Sequence, residues 1–124
     1  LVVIPSMRTP INTIDYAKEY FGESHTIIKN VDKKAYLSAL AISKNIVVTC
    51  DSSSMISEAA LTGKPIYVAN IEPKKNDKRF QSFKNLFREL NITRNLGEEV
   101  ETWNYQKLDE TNRIANIIKK KINL

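Results

Sequence analysis

Short apolar runs alternate with segments of helical period along the whole chain. Leu1–Ile4 is an apolar, mostly β-branched run closed by Pro5 and reads as a buried strand. Ser6-Met7-Arg8-Thr9 follows as a loop, and Pro10 suits a first helical position with Thr9 as N-cap. Ile11, Ile14, Tyr16-Ala17 and Tyr20-Phe21 recur at helical spacing up to Gly22, a natural stop. His25–Lys29 reads as a second strand. Asp32 is placed to cap a helix over Lys33–Ser43 with Tyr36, Leu37, Leu40 and Ala41 facing inward. Ile46–Cys50 is a third strand, Ser53–Thr62 a helix closed by Gly63, and Pro65–Ala69 a fourth strand. Asn70–Asp77 is polar and reads as an exposed loop. Arg79–Leu90 is amphipathic, Asn91–Tyr105 has no regular period, and Thr111–Ile122 is a last helix with Ile114, Ile117-Ile118 and Ile122 on one face.

The strands are continuous apolar runs rather than period-2 stripes, which predicts a mostly parallel sheet covered on both faces. The expected fold class is therefore α/β, a three-layer Rossmann-like domain spanning residues 1–124. A chain of 124 residues has the usual size of one domain. No internal repeat, low-complexity segment or domain boundary interrupts it. The chain opens directly in a strand without an initiator Met, which predicts a piece of a longer two-domain protein.

Composition narrows the function classes. Nineteen Lys+Arg against fourteen Asp+Glu give a net charge of +5, which favours an anionic partner. Part of the excess sits in Lys74-Lys75 with Lys78-Arg79, and in Lys119-Lys120-Lys121. A solvated helix face is the plain alternative for the terminal lysines. Basic residues are not interleaved with stacking aromatics, so nucleic acid is not an expected partner. Cys50 is the only cysteine and lies in an apolar run, so a buried, inert thiol is expected rather than a nucleophile. No apolar stretch approaches the roughly 20 residues of a membrane span, and the given residues open without a signal-peptide pattern. A cytoplasmic location, at most peripheral to a membrane, is the expectation. His25 has no partner at ligand spacing, no metal-site pattern occurs, and neither a Gly-x-Gly-x-x-Gly turn nor a P-loop is present. No cofactor is expected. Trp103 and Tyr105 read as packing anchors for the C-terminal tail.

Ligands of open parallel sheets bind beyond the carboxyl ends of the strands. The segment from Thr49 to Glu58 lies there. A strand runs into Asp51, Ser52, Ser53 and Ser54, then straight into a helix through Met55. The first helical amides lack intrahelical partners and carry about half a positive charge. A phosphate placed there accepts several backbone hydrogen bonds at once. Small serines admit the ligand to the main chain and add hydroxyl donors. From about a turn and a half into the helix, the Glu58 carboxylate can accept from ribose hydroxyls. The competing reading makes Asp51 or Ser52 an ordinary N-cap and Glu58 a solvated helix residue. Three serines in one turn exceed what capping requires. Ser6, Arg8 and Thr9 follow the first strand and are expected on the same sheet edge, where a guanidinium pairs bidentately with phosphate. A surface arginine is the alternative for Arg8.

Val47-Val48-Thr49-Cys50-Asp51-Ser52-Ser53-Ser54-Met55-Ile56-Ser57-Glu58-Ala59, with Thr62-Gly63-Lys64-Pro65-Ile66-Tyr67-Val68, resembles the mitochondrial fission protein family of plants and its bacterial relatives. The bacterial members are often labelled predicted nucleoside-diphosphate-sugar epimerases. Pro5-Ser6-Met7-Arg8-Thr9-Pro10 is similar to that family's Ser-Arg-Arg-Thr-Pro segment, with Met7 where a second arginine often stands. Arg79-Phe80, Phe83 and Leu90, and Trp103-Asn104-Tyr105 with Leu108 and Thr111, also resemble its later motifs. The Asp-Ser-x-Ser-Met-x-Ser-Glu-Ala stretch is fairly specific, whereas Thr-Gly-Lys-Pro alone is common.

The resemblance implies a GT-B glycosyltransferase-like protein, with this chain as its C-terminal half. It implies that the serine turn and Glu58 match a donor-site turn and its ribose-binding glutamate, and that Ser6, Arg8 and Thr9 approach the donor phosphates. The implied ligand is a nucleotide-sugar or another phosphorylated small molecule. If the whole protein is active, the implied reaction is glycosyl transfer, with the acceptor site and any catalytic base in the other half or the cleft between halves. Catalytic residues and oligomeric state are not given by the resemblance. The epimerase label does not suit a chain that lacks both the Gly-rich dinucleotide turn and a Tyr-x-x-x-Lys pair. The alternative function is a non-catalytic interaction module that binds a protein or an anionic membrane surface.

Overall fold

A computed structural model describes residues 1–71 and 77–123, so the basic pair Lys74-Lys75 lies outside the described residues. Among the described residues there are five strands and five α-helices, and every strand pair is parallel. The backbone gathers into two compact units, Leu1–Ser43 and Lys44–Leu124.

In the first unit, β1 (Val2–Val3) pairs with β2 (Thr26–Ile27) through Val2↔Thr26 and Val3↔Ile27. Flanking bonds from the Thr26 N–H to the Leu1 carbonyl and from the Ile28 N–H to the Val3 carbonyl extend this short ladder. The crossover is α1 (Ile11–Phe21), which buries Ile14 and Ala17. Thr9 is not its N-cap. Pro10 holds that position with no side-chain cap, because the Thr9 hydroxyl is already engaged with the Ser6 N–H. The helix stops at Gly22, whose φ of 59° lies in the left-handed region glycine tolerates best. α2 (Lys33–Ile42) starts as predicted, with Asp32 Oδ1 accepting the Ala35 N–H at 3.1 Å. Its expected inward face is only partly realised. No α2 residue is buried; Tyr36 and Leu40 are half-buried, whereas Leu37 is 51% exposed and Ala41 is exposed. The side of α2 turned inward therefore lies between Ala35-Tyr36 and Ala39-Leu40.

The second unit carries the sheet β3 (Ile46–Thr49), β4 (Ile66–Ala69) and β5 (Thr93–Asn95), in the order β3-β4-β5. α3 (Ser53–Ala60) joins β3 to β4, α4 (Lys78–Glu89) leads into β5, and α5 (Glu110–Lys121) follows a long irregular segment. The β4 body Ile66-Tyr67-Val68 is buried throughout, as a central strand covered on both faces should be. β3 departs from that expectation: Ile46 and Val48 are buried, but Val47 is 51% exposed, so one face of this strand is open. Ile56, Ile66 and Ile92 are the most completely buried large side chains, packed with Ala59, Ala60, Val68 and Phe87. Parallel strands joined by helical crossovers are the arrangement of a Rossmann-like α/β fold.

Local chemistry closes this unit. α4 is capped by Asp77, whose Oδ1 accepts the N–H groups of Arg79 and Phe80. α4 ends in a Schellman motif. Asn91 sits at φ 57°, its N–H bonds the Arg88 carbonyl, and the Ile92 N–H bonds the Phe87 carbonyl. Residues 96–109 contain no helix or strand, yet aromatic anchors tie them down. Trp103 is buried edge-on against Tyr67 and donates its indole N–H to the Asn91 carbonyl at 2.8 Å. The Tyr67 hydroxyl donates to the Glu101 carbonyl and accepts the Glu101 N–H. Tyr105 donates to the Lys64 carbonyl at 2.7 Å. Arg94 stacks on Trp103 at 4.1 Å and pairs with Glu101 at 2.6 Å. The packing role expected of Trp103 and Tyr105 is what the fold shows.

Candidate functional site

The β3–α3 turn is built from both sides. Upstream, the β3–β4 ladder runs through Thr49↔Ala69 and continues with the Cys50 N–H to the Ala69 carbonyl at 3.0 Å. The Cys50 thiol then takes over from the main chain. Its sulfur accepts the Ile71 N–H at 3.1 Å and donates to the Ile71 carbonyl at 3.5 Å. The thiol is buried, so its role is to tie the turn to the exit of β4.

Next, the Thr49 hydroxyl donates to Asp51 Oδ1 at 2.6 Å. Sequence reasoning missed this bond. Its signal was the hydroxyl two residues before an aspartate at a strand end, the spacing of a local turn closure. Ser52 is buried and is the N-cap of α3, accepting the Met55 N–H on its Oγ at 3.3 Å. The capping reading thus holds for Ser52. Ser53 and Ser54 are the first two helical residues, both are exposed, and their amides belong to the set with no intrahelical acceptor. Met55 is half-buried and Glu58 is exposed further along α3, while Ile56, Ala59 and Ala60 anchor the opposite face in the core.

Ser6, Arg8 and Thr9 share one tight turn in the first unit. The Thr9 N–H bonds the Ser6 carbonyl at 3.1 Å, the Ser6 N–H bonds Thr9 Oγ1 at 2.9 Å, and the two hydroxyls lie 3.3 Å apart. Ser6 Oγ also accepts the Arg8 N–H. Both hydroxyls are therefore engaged within the turn, and Arg8 stands exposed at its tip. The two candidate groups lie in different compact units.

The serine turn offers main-chain donors, hydroxyls and a nearby carboxylate, a set suited to holding an anion bearing hydroxyl groups. Among the described residues no cluster of three or more His, Cys, Asp or Glu side chains is placed to hold a metal ion. No helix is long and apolar enough to cross a membrane among those residues. A groove of about 580 Å³ lies elsewhere, lined by Leu90, Ile92, Lys107, Asn112 and Asn116 among others, and includes none of the candidate residues.

Comparison with known proteins gives a consistent result. Residues 1–122 match the family model described as mitochondrial fission ELM1. The chain is 34% identical over 122 residues to the mitochondrial fission protein ELM1 of Arabidopsis thaliana, covering 94% of this chain and 28% of that protein. It is 38% identical over 87 residues to the uncharacterized protein RP120 of Rickettsia prowazekii (strain Madrid E), covering 68% of this chain and 24% of that protein. The chain thus spans about a quarter of the length of these curated relatives. No solved structure matches it. With a family model matched almost end to end and a relative one-third identical over nearly the whole chain, this chain belongs to the mitochondrial fission ELM1 family.

Proposed function

We propose that this domain binds the nucleoside diphosphate portion of a nucleotide-sugar, as the donor-binding half of a glycosyltransferase-like protein. The observation that carries the reading is the start of α3: Ser53 and Ser54 are exposed immediately after a parallel strand, while Ser52 is buried and caps the Met55 amide. A diphosphate seated there accepts the first-turn amides and is stabilised by the positive end of the helix. Glu58, exposed on the same helix, is the group proposed to accept from ribose hydroxyls. In a complete enzyme these donors would stabilise the departing diphosphate electrostatically. The acceptor site and any base are assigned to polypeptide outside these residues.

Titration with UDP, ADP and GDP followed by amide NMR tests the proposal. The Ser53 and Ser54 amide resonances should move with saturable dependence on ligand. Ser53→Pro deletes one amide donor at a position where proline is compatible with a helix, and the extended backbone of Ser52 suits a residue before proline. It should weaken binding about tenfold, the scale of one hydrogen bond to a charged group. Amide resonances unmoved by all three nucleotides at millimolar concentration would reject the donor-site reading.

A further inference from the structure

We propose that α5 is a membrane-surface helix that seats its isoleucine stripe on anionic lipid. An amphipathic helix on a globular protein ordinarily turns its apolar face to the core. α5 leaves that face open: Asn112, Arg113 and Asn116 line the groove shared with Leu90 and Ile92 and are themselves exposed, and only Ala115 on the helix is half-buried. Ile114, Ile117, Ile118 and Ile122 stand 42–57% exposed, and no residue of α5 is buried. At 100° per residue these four isoleucines occupy an arc of about 140°, which Glu110 and Thr111 share in the first turn and Lys121 in the last.

Charge says what covers the stripe. Lys119 and Lys120 flank it on opposite sides, and Lys121 falls within its arc in the last turn, where a long side chain can keep its ammonium at the headgroups. The only carboxylate on the helix is Glu110 in the first turn, which is paired with Arg113. Residues 111–123 contain no Asp or Glu. Among the described residues none of the three lysines is in an ion pair. Lysines in a last turn also favour the negative end of a helix, but that accounts for the charge and leaves the isoleucines unexplained. A second copy would bring three more lysines and one already paired carboxylate, leaving the charge uncompensated. A lipid surface with anionic headgroups satisfies both the apolar stripe and its basic border.

Co-sedimentation of the 124-residue chain with vesicles tests this directly, using phosphatidylcholine alone and phosphatidylcholine with 30% phosphatidylserine. Binding should appear with the anionic vesicles and weaken as salt rises. Replacing Lys119, Lys120 and Lys121 together by alanine should lower the partition coefficient on the order of 100-fold, roughly fivefold per lysine. Ile117→Glu with Ile118→Glu should abolish binding while far-ultraviolet circular dichroism stays native, since both side chains are exposed. Should that pair disturb folding, the lysine variant alone decides. Absence of binding at millimolar anionic lipid, equal binding to neutral vesicles, or equal binding by the lysine variant overturns the proposal. A dimer in light scattering that Ile117→Glu dissolves also overturns it, because the stripe would then be covered by a second copy.

Discussion

The two compact units of this chain hold themselves together by different means. Residues 44–124 bury Ile56, Ile66 and Ile92 almost completely and knit three parallel strands around a fully covered β4. Residues 1–43 bury Ile14, Ala17 and Pro5, on a ladder of two paired residues per strand. Their turns differ in the same sense. In the second unit Ser52 caps α3 and leaves Ser53 and Ser54 outward; in the first, Ser6 and Thr9 close on each other. Deep apolar burial lets the second unit present polar groups outward, whereas the first relies on local hydrogen bonds to hold its turn.

Four experiments break or sharpen that contrast. Ile66→Ala should have the largest effect, about 4 kcal/mol in urea unfolding, because Ile66 is fully buried in the central strand and its truncation leaves a cavity in the core. Ile14→Ala in α1 should cost about 2 kcal/mol. Equal losses would erase the difference between the units. Next, Asn91→Val forces a β-branched residue to φ 57° and should cost about 1–2 kcal/mol, whereas Asn91→Gly should be close to neutral. Thermal unfolding of the two variants separates backbone strain from lost side-chain contacts. Third, Ser52→Ala should cost about 1 kcal/mol, the value of an N-cap. Thr9→Val, which removes the acceptor for the Ser6 N–H, should cost about as much if the first turn is equally self-supporting.

The smallest effect is electrostatic. Burial raises the Tyr105 phenol above its ordinary value, a Thr62 hydrogen bond opposing in part. A raised folded-state value means the unfolded chain releases its proton first. The stabilising contribution is therefore complete below about pH 10 and is lost as pH rises through the folded value. Tyr105→Phe should flatten stability against pH in that alkaline window, and an unchanged slope would show that the fold does not hold the Tyr105 phenol protonated.

Elements were legible where burial and period agree. β3 and β4 are apolar runs and lie where their residues put them, and the caps Asp32 and Ser52 follow from side-chain chemistry alone. β5 was not legible. Thr93-Arg94-Asn95 has no apolar signature, and its strand geometry comes from pairing with Ile66–Val68, a partner far away in sequence. The cap at Thr9 failed because its hydroxyl had a competing partner three residues back. Leu37 failed because the inward side of α2 is rotated toward Ala35 and Ala39. At the candidate site, the serine turn and its exposed helix start were readable, but the thiol bridge to Ile71 was not, since nothing local announces a bond across 21 residues.

The irregular segment after β5 carries a kinetic implication. Its tyrosine bonds close across 34 and 41 residues, and the loop-closure entropy of such contacts favours their forming after the more local ones. Residues 96–109 are accordingly expected to assemble late and open early. The exposed stretch Glu98-Glu99-Val100 is where a protease would first cut this unit while the ladder beneath it still held.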